Sequence, residues 1–144
     1  MVHFVLASHG YLADGFKSSL SIILGEETAK NIQTVNAFVD KNENIELRLE
    51  QLVNSYDAKN QIIIFTDIMY GSVNQYLMHY VDNRRIFLIT GMNLSLVCEI
   101  VTHYSNEEKV NAFELKDIVE KARQEIILVN TEVSEIEKDD FFEM

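Results

Sequence analysis

His9 sits just past an apolar run, Val2 to Ser8, and beside Gly10, which leaves the backbone open to close approach by another group. An imidazole at such a place can act as nucleophile or base near neutral pH. It also precedes an amphipathic stretch, and the free N–H groups and dipole of a helix N-terminus favour an anion, including a phosphoryl group carried on the ring. Asp67 closes the most hydrophobic run in the chain, where a bare carboxylate is costly unless it is hydrogen-bonded or used. A buried carboxylate that holds one imidazole N–H fixes the tautomer and raises the nucleophilicity of the opposite nitrogen. Gly71 and Ser72 follow at the head of another helical pattern and could donate backbone and hydroxyl hydrogen bonds to the same anion. Each of these residues also has a plainer reading: a histidine that fills a loop, an aspartate that forms a turn, a serine that only caps a helix.

The remaining reactive side chains carry less. His3 falls within the first apolar run, His79 on a helical stretch and His103 near a helix end, with no metal-ligand spacing among them. No metal and no cofactor are expected. Cys98 follows a helical core pattern and reads as a small buried hydrophobe. Tyr11 and Tyr70 flank the candidate site and could shape a docking surface, although aromatic packing is the commoner role. The chain has no GxGxxG and no P-loop, which counts against dinucleotides and nucleoside triphosphates.

The elements that must position these groups follow from periodicity. Val2 to Ser8 reads as a buried strand, and Leu12, Phe16, Leu20, Ile23 and Leu24 fall on one face of a helix that Gly25 ends. Asn31 to Val39 is β-rich, and Ile45, Leu49, Leu52, Val53 and Tyr56 then recur at helical spacing. Gln61 to Thr66, with the continuous core Ile62 to Phe65, has the pattern of a strand covered on both faces. A helix capped by Ser72 and marked by Val73, Tyr76, Leu77, Tyr80 and Val81 precedes a fourth strand at Ile86 to Ile89. Helices through Val97 to Tyr104 and Leu115 to Ala122 follow, and Ile126 to Val129 is a short β-rich segment that could extend the sheet.

Length and composition agree with one domain. The chain has 144 residues, 47% of them hydrophobic, with one cysteine and no proline. A single thiol excludes a disulfide framework and thiolate zinc sites. The first ten residues lack a basic n-region, so they read as a strand rather than a signal peptide, and no stretch is long and apolar enough to span a bilayer. Twelve basic against 23 acidic side chains give a formal charge of −11, which repels phosphate backbones and makes nucleic acid an unsuitable partner. Part of that charge forms an acidic, solvated tail over 131–144, leaving residues 1–130 as the domain.

Strand followed by helix with short connections predicts an α/β fold: an open, mostly parallel sheet with right-handed crossovers and helices on both faces. Ligands in such folds collect outside the carboxyl ends of the strands near the switch point. Ser8-His9-Gly10, Asp67 to Ser72 and Gly91-Met92-Asn93 would converge there.

Three groups of residues carry a family resemblance: Ala7-Ser8-His9-Gly10 with Leu12-Ala13 and Gly15; Phe65-Thr66-Asp67 with Gly71-Ser72 and Asn74; and Gly91-Met92-Asn93-Leu94 with Glu99. Together they resemble the enzyme IIA domain of the mannose family in the bacterial sugar phosphotransferase system, in the right order from Val2 through the last helix. The resemblance implies a cytoplasmic phosphocarrier, brought to the inner face of the membrane through its transporter complex. It would accept a phosphoryl group from HPr onto His9, at Nε2, and pass it to a IIB component, which phosphorylates a sugar entering through membrane IIC and IID partners. It also implies Asp67 as the partner of the imidazole, matches Ser72 to the family's serine at the helix start, and implies a homodimer that exchanges an antiparallel edge strand, for which Ile126 to Val129 is the candidate; by physical reasoning Gly10, Gly71 and Ser72 would surround the phosphoryl group.

The chain departs from the family pattern in two loops. The family commonly has two glycines and then Ser-Pro after the aspartate, where this chain has Tyr70-Gly71-Ser72-Val73, and it has Ser95 where Asn-Leu-Pro is usual. Loss of proline removes a source of loop rigidity. Two other readings stand beside this one. A phosphocarrier subunit of a dihydroxyacetone kinase has a similar domain and an equivalent histidine, although Gly10 and the Gly91 to Leu94 segment favour the mannose type. A regulatory binding module of the same fold would use phosphorylation of His9 only as a signal. A receiver domain phosphorylated on Asp67 should carry an acidic pair where this chain has Ser8-His9.

Overall fold

The computed structural model describes residues 1–131. The acidic tail from Glu132 onward lies outside the described residues.

Strands β1 (Val2–His9), β2 (Ile32–Ala37), β3 (Gln61–Thr66) and β4 (Ile86–Ile89) form one sheet in the order β2-β1-β3-β4, with every pairing parallel. The chain first steps from β1 outward to β2, then returns to the other side of β1 for β3 and β4. The order therefore reverses between β1 and β3, and the carboxyl ends at such a switch point are where open α/β sheets place their ligands.

Side-chain alternation in the strands feeds two cores. Phe4, Leu6, Ile63 and Phe65 point to a layer made by α1 (Leu12–Leu24), α5 (Leu94–Tyr104) and α6 (Ala112–Arg123). Val5, Ala7, Ile62 and Ile64 point the other way, to α3 (Ile45–Ser55) and α4 (Ser72–Leu77). This is why β1 and β3 read as continuous apolar runs: both faces are covered. A four-residue helix, α2 (Glu26–Ala29), which the periodicity does not announce, fills the turn between α1 and β2.

Four expectations need correction. His9 is the last residue of β1 rather than the first residue beyond it. Leu12 and Ile23 are exposed, so α1 packs through Ala13, Phe16, Leu20 and Leu24. The helix after Asp67 is one and a half turns long and gives way to a 3-10 turn at Met78–Tyr80, leaving Val81 half exposed. Residues 126–128 form no strand in the single chain, and Ile126 to Val129 are all exposed; the sheet ends at β4, whose outer edge is unpaired among the described residues.

Ile63 is fully buried at the centre of the sheet. Ile63→Ala is expected to lower unfolding free energy by about 2 to 5 kcal/mol, as measured by urea unfolding, with native circular dichroism retained before the transition.

Candidate functional site

The carboxyl ends of β1 and β3 bring His9 and Asp67 together. Asp67 Oδ2 accepts two hydrogen bonds from the same residue, one from the His9 backbone N–H and one at His9 Nδ1, each at 2.8 Å. Its other oxygen accepts the Ile68 N–H at 3.0 Å. Because β1 outlasts β3, His9 has no strand partner on that side, and the Asp67 side chain takes the place of the missing ladder. The carboxylate is largely covered, at 10% side-chain exposure, whereas the imidazole is 40% exposed. Burial works to raise the Asp67 pKa, but the hydrogen bonds from His9 and Ile68 outweigh it and hold the carboxyl below its ordinary value. An ionised Asp67 accepts at Nδ1, so that nitrogen carries the proton in the neutral ring and Nε2 keeps its lone pair.

The backbone around the pair is shaped by glycine where no other residue fits. Gly10 turns the chain out of β1 at φ +59, with its N–H bonded to the Ala37 carbonyl at 2.8 Å. Gly71 lies against the imidazole: a Cβ there would sit 2.7 Å from His9 Cε1 and 2.9 Å from Ile68 Cγ1. Gly71 is also the N-cap of α4. Ser72, expected as the cap, is instead the first helical residue, exposed and without a capping bond. It stands beside Gly71, but no contact joins its hydroxyl to His9.

The residues that hold this frame escaped functional reading. Among the described residues the buried polar side chains are Ser8, Thr66 and Asn74, and all three lie at this end of the sheet. Ser8 Oγ accepts the Ala13 N–H at 2.7 Å, fastening the start of α1 to the end of β1. Thr66 Oγ1 donates to Asn74 Oδ1 at 2.7 Å, and Asn74 Nδ2 donates to the Met69 carbonyl at 3.0 Å. These bonds brace the loop that lacks the expected proline. The signal in the sequence was polarity at positions whose strand and helix periods predict burial.

The Gly91 loop joins the site through the Met92 N–H, which donates to the Thr66 carbonyl at 3.0 Å, while Asn93 caps α5 through the Leu96 N–H. Ser95 donates to the Glu125 carboxylate, tying the head of α5 to the end of α6. Tyr11 and Tyr70 are both exposed, and Tyr70, Ile68 and Met69 form an apolar rim with no place in either core. His3, by contrast, stacks on Tyr56 away from the site, and His103 faces Glu114. Cys98 packs against the first core cluster, as its helical spacing predicts. Among the described residues no group of three or more His, Cys, Asp or Glu side chains could hold a metal ion, and no helix is long and apolar enough to cross a membrane.

Fold and sequence agree with solved proteins. A Klebsiella pneumoniae protein assigned to a phosphoenolpyruvate-dependent sugar phosphotransferase system permease superposes with a TM-score of 0.81 at 27% identity, over 92% of this chain and 93% of that one. The IIA protein associated with the fucose utilization operon of Streptococcus pneumoniae gives 0.71 at 24% identity, over 92% and 96%. The mannose/sorbose-specific IIA subunit of Enterococcus faecalis gives 0.69 at 20% identity, over 87% and 92%; at such identities the last two likenesses speak to fold alone. Residues 3–122 match the EIIA-man family, the fructose IIA component of the sugar phosphotransferase system, and the chain belongs to that family.

The Asp67 carboxyl has a lowered pKa, so its contribution to stability is complete above the ordinary value of 3.8 and is lost as pH falls through the lowered folded value. Asp67→Asn is expected to reduce stability at neutral pH and to flatten the loss below that range, as read from denaturant midpoints measured across the acid limb.

Proposed function

We propose that this IIA component carries a phosphoryl group on His9 Nε2 between phospho-HPr and a IIB partner. The observation that carries the reading is the double hydrogen bond from His9 to Asp67 Oδ2 at the switch point of the sheet. With Nδ1–H held by the carboxylate, the Nε2 lone pair attacks the phosphorus of the donor phosphohistidine in line. The new N–P bond forms as the donor N–P bond breaks, and the donor imidazole leaves with that electron pair. His9 becomes a phosphorylated imidazolium whose positive charge faces ionised Asp67. Transfer to the IIB nucleophile reverses these changes and returns His9 neutral.

Transfer from a phosphohistidine to another histidine has little driving force, so orientation carries the rate. Gly10 leaves open space after His9, Gly71 lets the chain pass close against the ring, and Ser72, exposed next to Gly71, would offer its hydroxyl to an equatorial oxygen once a partner docks. The exposed rim of Tyr11, Ile68, Met69 and Tyr70 supplies an apolar surface for that transient docking. In this reading the protein works in the cytoplasm, and the IIB partner feeds a sugar entering through IIC and IID.

The same reading makes the protein a homodimer. The outer edge of β4 borders a groove of about 720 Å³ that includes Ile86, Leu88, Leu115 and Val119, and the exposed run Ile126 to Val129 leaves α6 beside it. An unpaired strand edge next to an apolar groove invites an exchanged strand from a second copy.

Incubation with phosphoenolpyruvate, enzyme I and HPr should place one acid-labile phosphoryl group on the wild type, visible by intact mass, and added IIB should remove it. His9→Ala should take no label, and Asp67→Ala should remain folded but label about a hundredfold more slowly. Normal labelling of His9→Ala would refute the site.

A further inference from the structure

Phe38 has the only positive φ of any non-glycine among the described residues, at +66. A bulky side chain rarely adopts that conformation, and such strain persists only where the surroundings impose it, most often at functional sites. Here the imposition is visible. Phe38 follows the last residue of β2, whose partner across the ladder is His9, and the carbonyl of that residue, Ala37, is taken by the Gly10 N–H. The end of β2 is further bound to α1: Thr34 Oγ1 donates to Asp14 Oδ1 at 2.6 Å, and the Asp14 N–H donates to Asn36 Oδ1 at 3.3 Å.

The strained backbone does not serve the core. Phe38 is 52% exposed and belongs to neither apolar cluster. Its ring instead packs at a tilt against the imidazole of His9, with centroids 5.3 Å apart and planes inclined by 35°. His9 is thus bounded on three sides: Asp67 at Nδ1, Gly71 against Cε1 and Phe38 on one face. Of the two ring nitrogens, Nε2 has no hydrogen-bond partner among the described residues.

We propose that Phe38 is a positioning residue for His9, its ring closing one face of the imidazole so that the side chain keeps the single rotamer in which Asp67 holds Nδ1. This rests on the phosphocarrier reading for its consequence in rate, but its geometric content stands apart. Phe38 acts through His9 and takes no part in bond making. Its exposed half adjoins the position of an arriving partner, so the same ring that steadies the imidazole also limits the directions of approach to it.

The test uses the full chain and compares wild type with Phe38→Gly, Phe38→Asn and Phe38→Tyr. Glycine and asparagine both tolerate the backbone angle, so removing the ring this way separates its effect from strain. In the two ringless variants the His9 ring-proton NMR resonances should lose their aromatic ring-current shift and the side-chain couplings should average over rotamers. Labelling by phospho-HPr should slow by about tenfold or more, with Tm held or raised. Phe38→Tyr should restore both the couplings and the rate. Unchanged His9 couplings and labelling in Phe38→Gly and Phe38→Asn would overturn the proposal, as would a lowered Tm with an unchanged rate per folded molecule, which marks a purely structural ring. A wild type that takes no label would refute the phosphocarrier reading, and the NMR couplings would still decide the role of Phe38.

Discussion

A single carboxylate oxygen, Asp67 Oδ2, receives both the backbone N–H and the imidazole of His9. The first bond extends the β1–β3 pairing beyond the point where strand hydrogen bonds end, and the second sets the ring on that extension. Backbone and side chain of one residue are therefore referenced to the same atom. For that atom to stay in place, the end of β3 must not fray and the following loop must not wander. Thr66 and Asn74, buried beneath the loop, meet that requirement by bonding to each other and to the Met69 carbonyl. Removing one partner of such a buried pair leaves the other unsatisfied, which costs about 1 to 3 kcal/mol. The site is consequently no more rigid than the hydrophobic sheet that supports these polar bonds.

The division of labour along the sheet follows from this. Interior strand positions from Phe4 to Ala7 and Ile62 to Phe65 are apolar and buried on both faces. Among the described residues, the polar residues buried as a whole are Ser8 and Thr66 at the ends of β1 and β3, and Asn74 in α4 beside them. Ser8 bonds to α1, and the Asn74 carboxamide holds the loop after Asp67 by bonding the Met69 carbonyl.

Strands were the most legible part of the chain because uninterrupted β-branched runs have few competing readings. Gln61 to Thr66 and Ile86 to Ile89 end where their patterns end. Helix faces were less legible. Leu12 and Ile23 satisfy the spacing of an apolar stripe yet face solvent, since periodicity cannot say how wide a stripe the sheet will cover. The cap at Gly71 rather than Ser72 depends on one residue of backbone extension, within the ordinary slack of helix ends. Ile126 to Val129 has strand composition but no strand, because composition alone does not bring a segment to a sheet edge. The partnership of His9 and Asp67 was readable from strand ends; the shared oxygen was not, and neither was Phe38, since nothing in a phenylalanine's context announces a positive φ.

The rim formed by Tyr11, Ile68, Met69 and Tyr70 stands outside both cores. Changes in those side chains leave the folding free energy nearly untouched, because little of their area is withdrawn from water in the single chain. That rim can thus vary independently of the sheet ends that hold His9 and Asp67. A duplicated copy of such a protein could drift toward new protein contacts without first acquiring compensating stability. The geometry of His9 on Asp67 would stay constant meanwhile, because the bonds that hold it are anchored one layer deeper.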